Sequence, residues 1–320
     1  KDADNSGKIV RSKIAPESSS DAVGLAYSPP GSAKGGAQIN EAVWILVDSS
    51  PYDILIKSNA TTGTVINDTY PSASGDTFPS RANNVGYVTL DGQNNIPAVS
   101  DGNAITFDAD GYLWIAAVVQ DGCCNTQRKL IQIDATNGEE ESSYDLNQIP
   151  WEVTITGLSM SADGATIYMF GHGGWDPRIY TFNVSNQTTS DAWGTAFARA
   201  ATLRPGTNQL FLSLAETEAQ ISQFVMNDSG FGNIESGLIA NYEVEDDYSV
   251  TDVKGLVIKD GSTNTTADTN PTNDVLYIAR TDEDANGDKT GYITKVHIPA
   301  DASTNPTDMA YSAAHNHLYT

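Results

Sequence analysis

The two ends of this chain carry halves of one sequence unit. Toward the C-terminal end, Leu276-Tyr277-Ile278, the acidic stretch Asp282-Glu283-Asp284-Ala285-Asn286-Gly287 and the alternating segment Tyr292-Ile293-Thr294-Lys295-Val296-His297-Ile298-Pro299 lead to Met309-Ala310-Tyr311-Ser312. The same order reappears when the ends are joined: Leu318-Tyr319-Thr320, then Asp2-Ala3-Asp4-Asn5-Ser6-Gly7, then Ile9-Val10-Arg11-Ser12-Lys13-Ile14-Ala15-Pro16, then Leu25-Ala26-Tyr27-Ser28. A unit divided this way is the signature of a closed ring of repeats in which one member draws strands from both ends.

Five further units follow the same order: an apolar strand, a turn, a stronger strand with an aromatic residue, a polar loop, and an alternating strand. They start at Val23, Ala104, Gly157, Ala200 and Gly255, and their second strands are Ala42 to Asp48, Tyr112 to Ala116, Ile167 to Phe170, Gln209 to Leu212 and Val275 to Ala279. Turns such as Asp108-Ala109-Asp110-Gly111 and Ala162-Asp163-Gly164 separate the strands, because glycine supplies the positive φ that a tight hairpin needs. The nearly continuous apolar run Trp44 to Val47 fits a strand covered on both faces, whereas Lys57, Gln132 and Gln223 alternate as outer strands do. Helical periodicity is not sustained anywhere. At roughly 50 residues per unit, six units account for the 320 residues as one domain spanning 1–320.

With its apolar strand, Ser-x-Asp-Gly turn and strand centred on an aromatic residue, the repeat resembles that of six-bladed β-propellers. The resemblance implies an all-β ring closed by strands from both ends, with a seventh blade around Tyr87-Val88-Thr89-Leu90 as the alternative count. It specifies no enzyme family, since propellers host binding proteins, hydrolases and scaffolds alike.

Charge narrows the partners. Against 41 Asp and Glu stand 17 Lys and Arg, a formal net charge of −24. Such a field repels phosphate backbones and anionic headgroups, which excludes nucleic acid, and no apolar run is long enough to insert in a membrane. Cationic residues are few and scattered, which argues against an anionic substrate. The acidic balance and the start at Lys1 rather than Met fit a processed extracellular or cell-surface protein. Six Asn-x-Ser/Thr sequons (Asn59, Asn67, Asn183, Asn186, Asn227, Asn264) are then glycosylation candidates.

Three motifs could carry chemistry. Asp282-x-Asp284-x-Asn286-Gly287-Asp288 matches the first half of a calcium loop, with oxygens at alternate positions and a glycine at the bend, and Asp2-x-Asp4-x-Ser6-Gly7 holds the corresponding place in the split unit. Neither has the bidentate Glu at the twelfth position, so water, backbone carbonyls or a distant carboxylate would complete the shell; a polar turn is the plain alternative. The adjacent Cys123 and Cys124 could form a vicinal disulfide in an oxidising compartment, or stay as two thiols. The glycine-rich loop Gly171-His172-Gly173-Gly174-Trp175-Asp176 could present His172, Trp175 and Asp176 to a sugar, or be a long hairpin with a Trp folded over an edge.

Hydrolase nucleophile and zinc motifs are absent from the sequence. The reading is therefore an extracellular structural or binding propeller stabilised by calcium, with a glycan as candidate ligand and head-to-tail self-assembly into a fibre as its sharper form. The alternative is a secreted calcium-dependent hydrolase or lactonase, using carboxylates just before the first strands: Asp21, Asp101, Glu152, Asp252 and Asp308.

Overall fold

The computed structural model describes residues 10–13, 21–32, 38–39, 41–60, 66, 70–71, 77–78, 87–92, 95–121, 125–136, 138–161, 163–173, 178–194, 198–205, 207, 209–214, 220–225, 238–243, 249–260, 274–283, 289–298, 310–312 and 317–319. Five four-stranded antiparallel sheets form the blades of a β-propeller. From axis to rim, the first blade runs Asp21–Ser28, Ala42–Asp48, Ile54–Asn59, Tyr87–Thr89, and the second Gly102–Phe107, Tyr112–Asp121, Asn125–Asp134, Glu140–Asp145. The third is Thr154–Met160, Thr166–His172, Arg178–Asn183, Thr188–Gly194, and the fourth Ala198–Leu203, Gln209–Leu214, Gln220–Val225, Leu238–Glu243. The fifth is Ser249–Lys259, Asp274–Glu283, Lys289–Ile298, with Val10–Lys13 as its outermost strand. Each innermost strand lies between those of the neighbouring blades, and the fifth returns to the first, so the ring is closed.

Two sequence expectations are corrected here. The blades number five, not six or seven: Tyr87–Thr89 is the rim strand of the first blade, pairing with Ile54 to Ile56. The divided unit is not a blade of its own. Val10–Lys13 pairs with Tyr292 to Lys295, so two segments that look like equivalent third strands of neighbouring blades are adjacent strands of one sheet. Alternation marks a half-exposed strand but cannot tell third place from fourth. The other half of that unit, Ala310–Ser312 and His317–Tyr319, pairs with itself in a separate hairpin.

The five blades are equivalent to the residue. In the second strands, Trp44, Trp114, Tyr168, Phe211 and Tyr277 stand opposite Ala26, Thr106, Ser159, Thr202 and Val257 of the first strands. This is the recurring aromatic visible in the sequence. It sits where two sheets face each other, and the cores accordingly lie between blades: Trp44, Leu46 and Leu55 pack with Ile105, Leu113 and Ile131, while Trp114 and Ala116 pack with Leu158, Met169 and Phe182. Polar ties cross the same gaps. Ser159 Oγ accepts from Leu203 N at 3.0 Å, the buried Arg204 pairs with Asp274, Lys259 Nζ meets Glu41 at 2.5 Å, and Tyr277 Oη donates to Ala60 O at 2.9 Å.

The Asp and Ser of the turns fold them locally. Asp108 Oδ1 accepts from Asp110 N and Tyr112 N, and Gly111 has φ +95°; in the third blade Ser161 Oγ donates to Asp163 and accepts from Thr166 N, with Gly164 at φ +70°. Near the axis the backbones approach closely. A Cβ on Gly157 would lie 2.8 Å from Ala201 N and 3.0 Å from Ala201 Cβ, both in the next blade, whereas one on Gly31 would meet nothing within 4 Å. Gly157→Ala should therefore cost about 1–3 kcal/mol in denaturant unfolding and Gly31→Ala almost nothing.

Candidate binding face at the axial mouth

Every first strand carries a bulge at the same register position. The positions that the ladder register skips are Val23, Asn103, Thr156, Arg199 and Lys254, each three before the residue that faces the recurring aromatic. A bulge frees one side chain from the ladder and re-aims it. Where contacts are seen, the freed side chain turns into the gap between blades: Val23 packs against the core shared by the first and second blades. Burial agrees: all five residues are half-buried, and the two that follow each are buried. The residue directly after the bulge is small in every blade (Gly24, Ala104, Gly157, Ala200, Gly255), as the narrow ring requires.

The position is chemically mixed: Val23 is apolar, Asn103 and Thr156 are neutral, and Arg199 and Lys254 occupy it on the neighbouring first strands of the fourth and fifth blades. Thr156 Oγ1 donates to Ala198 O at 2.6 Å and ties the third blade to the fourth beside Arg199. His172, opposite Thr154, is lowered below the ordinary histidine range, first by burial and then by the charge of Arg199.

The same end of the ring carries the beginnings of the first strands and the ends of the second. Second strands finish at Asp48, Asp121, His172, Leu214 and Glu283, and the links to the third strands therefore leave from this face. Motifs far apart in sequence, Cys123-Cys124, His172 to Asp176 and Asp282 to Asp288, all belong to such links. Of these, His172 is described, Asp282 is placed by its backbone opposite Val250 and Thr290, and Cys123, Cys124, Trp175, Asp176, Asp284, Asn286 and Asp288 lie outside the described residues. Asp2, Asp4 and Ser6 also lie outside them; they precede a fourth strand, while Asp282 to Asp288 join a second to a third, so the topology does not make the two acidic motifs equivalent. Among the described residues no three His, Cys, Asp or Glu side chains group as metal ligands.

Among the sequons, Asn186 is exposed and its Oδ1 accepts from Thr188 Oγ1, Asn183 caps its turn by accepting from Ser185 N and Asn186 N, and Asn59 is half-buried. Asn67, Asn227 and Asn264 lie outside the described residues.

Two features of this face are not evident from sequence motifs. Trp151 is 86% exposed, on the link that enters the third blade, and the neighbouring Glu152 carbonyl oxygen would be 2.5 Å from a Cβ on Gly173. Its link therefore packs against the start of the glycine-rich loop. Asp53, fully buried between the first two blades, accepts from Gly102 N at 2.6 Å and Ser49 N at 3.4 Å. Burial pushes its carboxyl up to about 7, against those two hydrogen bonds, with Asp48 and Asp101 adding repulsion. Asp101 is raised too, by partial burial, against a hydrogen bond from Asn103.

Because folded Asp53 holds a proton that the unfolded chain loses near pH 4, the folded state binds more protons between about 4 and 7, and stability from this group falls as pH rises through that window. Asp53→Asn keeps an acceptor for Gly102 N and removes the titration. We expect the stability of the variant, measured by denaturant unfolding from pH 4.5 to 8, to decline less than that of the parent by of order 2 kcal/mol.

No protein-family model matches the chain, and no curated protein matches it. Among solved structures it is similar to hydrazine synthase of Kuenenia stuttgartiensis, with TM-score 0.40 and 14% identity over 88% of this chain and 64% of that one. It is similar to a luciferin-regenerating enzyme, with TM-score 0.45 and 11% identity over 91% and 97% of the two chains, and to a gluconolactonase of Xanthomonas campestris, with TM-score 0.40 and 11% identity over 89% and 99%. The chain thus spans 64% of the length of the hydrazine synthase chain. What makes it a β-propeller is its own sheet order and closed ring of first strands.

Proposed function

We propose that this propeller is an extracellular structural and binding module that assembles with copies of itself. The observation that carries the reading is the seam: the rim strand of the fifth blade is Val10–Lys13, held by four residue pairs to partners 279 to 285 positions away in sequence. Third strands without a rim partner present free backbone donors and acceptors, and the same four-residue segment from a neighbouring copy satisfies them equally well. Closure within one chain wins at low concentration, and exchange between copies wins when the copies are crowded. Calcium at Asp282, Asp284, Asn286 and Asp288 would tie the link between the second and third strands of that same blade. Electron microscopy of the purified protein, dilute and at millimolar concentration with and without calcium, tests the assembly. Filaments that vanish when residues 1–13 are removed support it; discs alone under every condition contradict it.

A second reading, a secreted calcium-dependent hydrolase or lactonase acting on a sugar-like substrate, draws on Asp101 and Glu152. Both are exposed and stand just before neighbouring first strands on the face described above. Turnover of glycosides or sugar lactones that is lost in Asp101→Asn and Glu152→Gln would favour it over a purely structural role.

A further inference from the structure

We infer that Asp53 is a proton-operated latch between the first and second blades: protonated, it holds the link Ser49 to Tyr52 against the start of the second blade, and ionised, it lets the two part. The latch depends on neither reading proposed above. The corner it closes recurs in the fold. Trp44 stands opposite Lys57 and Trp114 opposite Gln132, so Asp53 and Arg128, each four residues earlier, hold the same place in the first and second blades. Their carbonyl oxygens accept alike, from Leu90 N and Leu146 N at 2.9 Å each. Each side chain then reaches the entry of the next blade: Arg128 Nη1 donates to Ile149 O at 3.3 Å and Pro150 O at 2.6 Å, whereas Asp53 Oδ2 accepts from Gly102 N at 2.6 Å. One corner is closed by a guanidinium that stays charged, the other by an acid that titrates.

The surroundings of Asp53 favour its neutral form. It is fully buried, and a Cβ on Gly102 would lie 2.9 Å from its Oδ2 and 3.0 Å from Leu46 Cδ2, so the carboxyl fills space that only a glycine leaves. Asp53 N donates to Val99 O at 2.9 Å, which keeps the residue in the corner. The charged groups that face it are both acids, Asp48 at the end of the second strand of its own blade and the exposed Asp101 on the link into the next. The backbone places two more acids on the adjoining elements, Asp21 opposite Asp48 and Asp91 after Leu90. Among the described residues no cation acts on the carboxyl. Ser49 N, 3.4 Å from Oδ1, is a weak second donor, so Oδ1 carries the proton. Once ionised, the carboxyl gains most from water, and water enters when the exposed Ser50, Pro51 and Tyr52 lift away from Gly102 without uncovering any core.

Amide hydrogen exchange of the full chain, followed by NMR from about pH 4.5 to 8.5 and expressed as protection so that the base catalysis of exchange itself is removed, tests the latch. Opening releases the proton of Asp53, so protection at Gly102 and Ser49 should fall at least about tenfold between pH 5 and 7 and level off above about 7. Leu146 and Ile149, at the Arg128 corner, should keep theirs. Asp53→Asn should hold protection at Gly102 constant across the range. In Asp48→Asn and in Asp101→Asn the levelling-off should move to lower pH, because a like charge has gone, a shift that a merely structural role would not produce. Should Asp53→Asn fail to fold, the parent profile and the exposed Asp48→Asn variant carry the test. Constant protection at Gly102 in the parent, an equal fall at the Arg128 corner, a persisting fall in folded Asp53→Asn, or an unmoved levelling-off in both neighbouring variants would overturn the latch.

Discussion

Trp114→Ala should lose about 5 kcal/mol of folding stability, and Trp114→Phe about 2. The indole is 1% exposed in the core between the second and third blades, stacked at 5.9 Å on Tyr144 and tilted at 6.0 Å against Phe182. Removing a buried aromatic side chain leaves a cavity costing about 3–5 kcal/mol. A polar cost adds to it, because Trp114 Nε1 donates at 2.7 Å to Oδ2 of Asp108, whose other oxygen organises the turn. The carboxyl of Asp108 is raised by burial and brought down first by that indole bond, so without it a buried oxygen loses its partner, worth about 1–3 kcal/mol. The Phe variant fills most of the space and isolates the hydrogen bond. The first blade offers a neutral parallel: Trp44 Nε1 donates at 3.1 Å to Ser28 Oγ, so Trp44→Phe should cost less than Trp114→Phe. Equal losses in the two Phe variants, by urea unfolding, would show that the Asp108 bond contributes nothing special.

Deleting residues 1–13 should be as damaging. Val10–Lys13 is the only strand of the fifth blade that comes from the opposite end of the chain, and its pairing closes a loop comprising nearly the whole molecule. Without it the strand Lys289–Ile298 becomes an unprotected edge, and such edges recruit other chains. We expect a stability loss of order 3–5 kcal/mol, since the ladder hydrogen bonds and packing of four residue pairs are lost and outweigh the loop-closure entropy regained, together with concentration-dependent association. A synthetic peptide covering residues 1–20 should restore the monomer. A truncated protein that stays monomeric with unchanged unfolding would mean that the seam strand contributes little to the ring.

Most of the ring was legible in the sequence because its causes are local and repeated. Trp44, Trp114, Tyr168, Phe211 and Tyr277 recur in apolar strands, and turns such as Asp110-Gly111 and Asp163-Gly164 carry their own hydrogen bonds. Blade count was not, because Ile9 to Ile14 alternates like a third strand and only the register with Tyr292 to Lys295 reveals it as a fourth. The shared bulge position escaped for a different reason. A bulge residue is defined by its lack of a partner across the ladder, and residues as unlike as Val23, Asn103, Thr156, Arg199 and Lys254 share no side-chain pattern. The one local trace is the small residue that follows each of them, from Gly24 to Gly255, which marks the close approach of first strands at the axis. Arg199 and Lys254, 55 positions apart, reach equivalent places on adjacent strands only because consecutive blades are neighbours.

Residue pairing at the seam decides the architecture. Ser12 stands opposite Ile293, and in a Cys123→Ser, Cys124→Ser background the variant Ser12→Cys, Ile293→Cys should form a disulfide on mild oxidation, found by mass spectrometry as a linked peptide pair. Five blades with the seam in the fifth predict this link at high yield, within the monomer in dilute solution and between copies when crowded. Ser12→Cys that cross-links to neither position 293 nor its neighbours, in a protein that is folded, would place Val10–Lys13 elsewhere and contradict the ring described above.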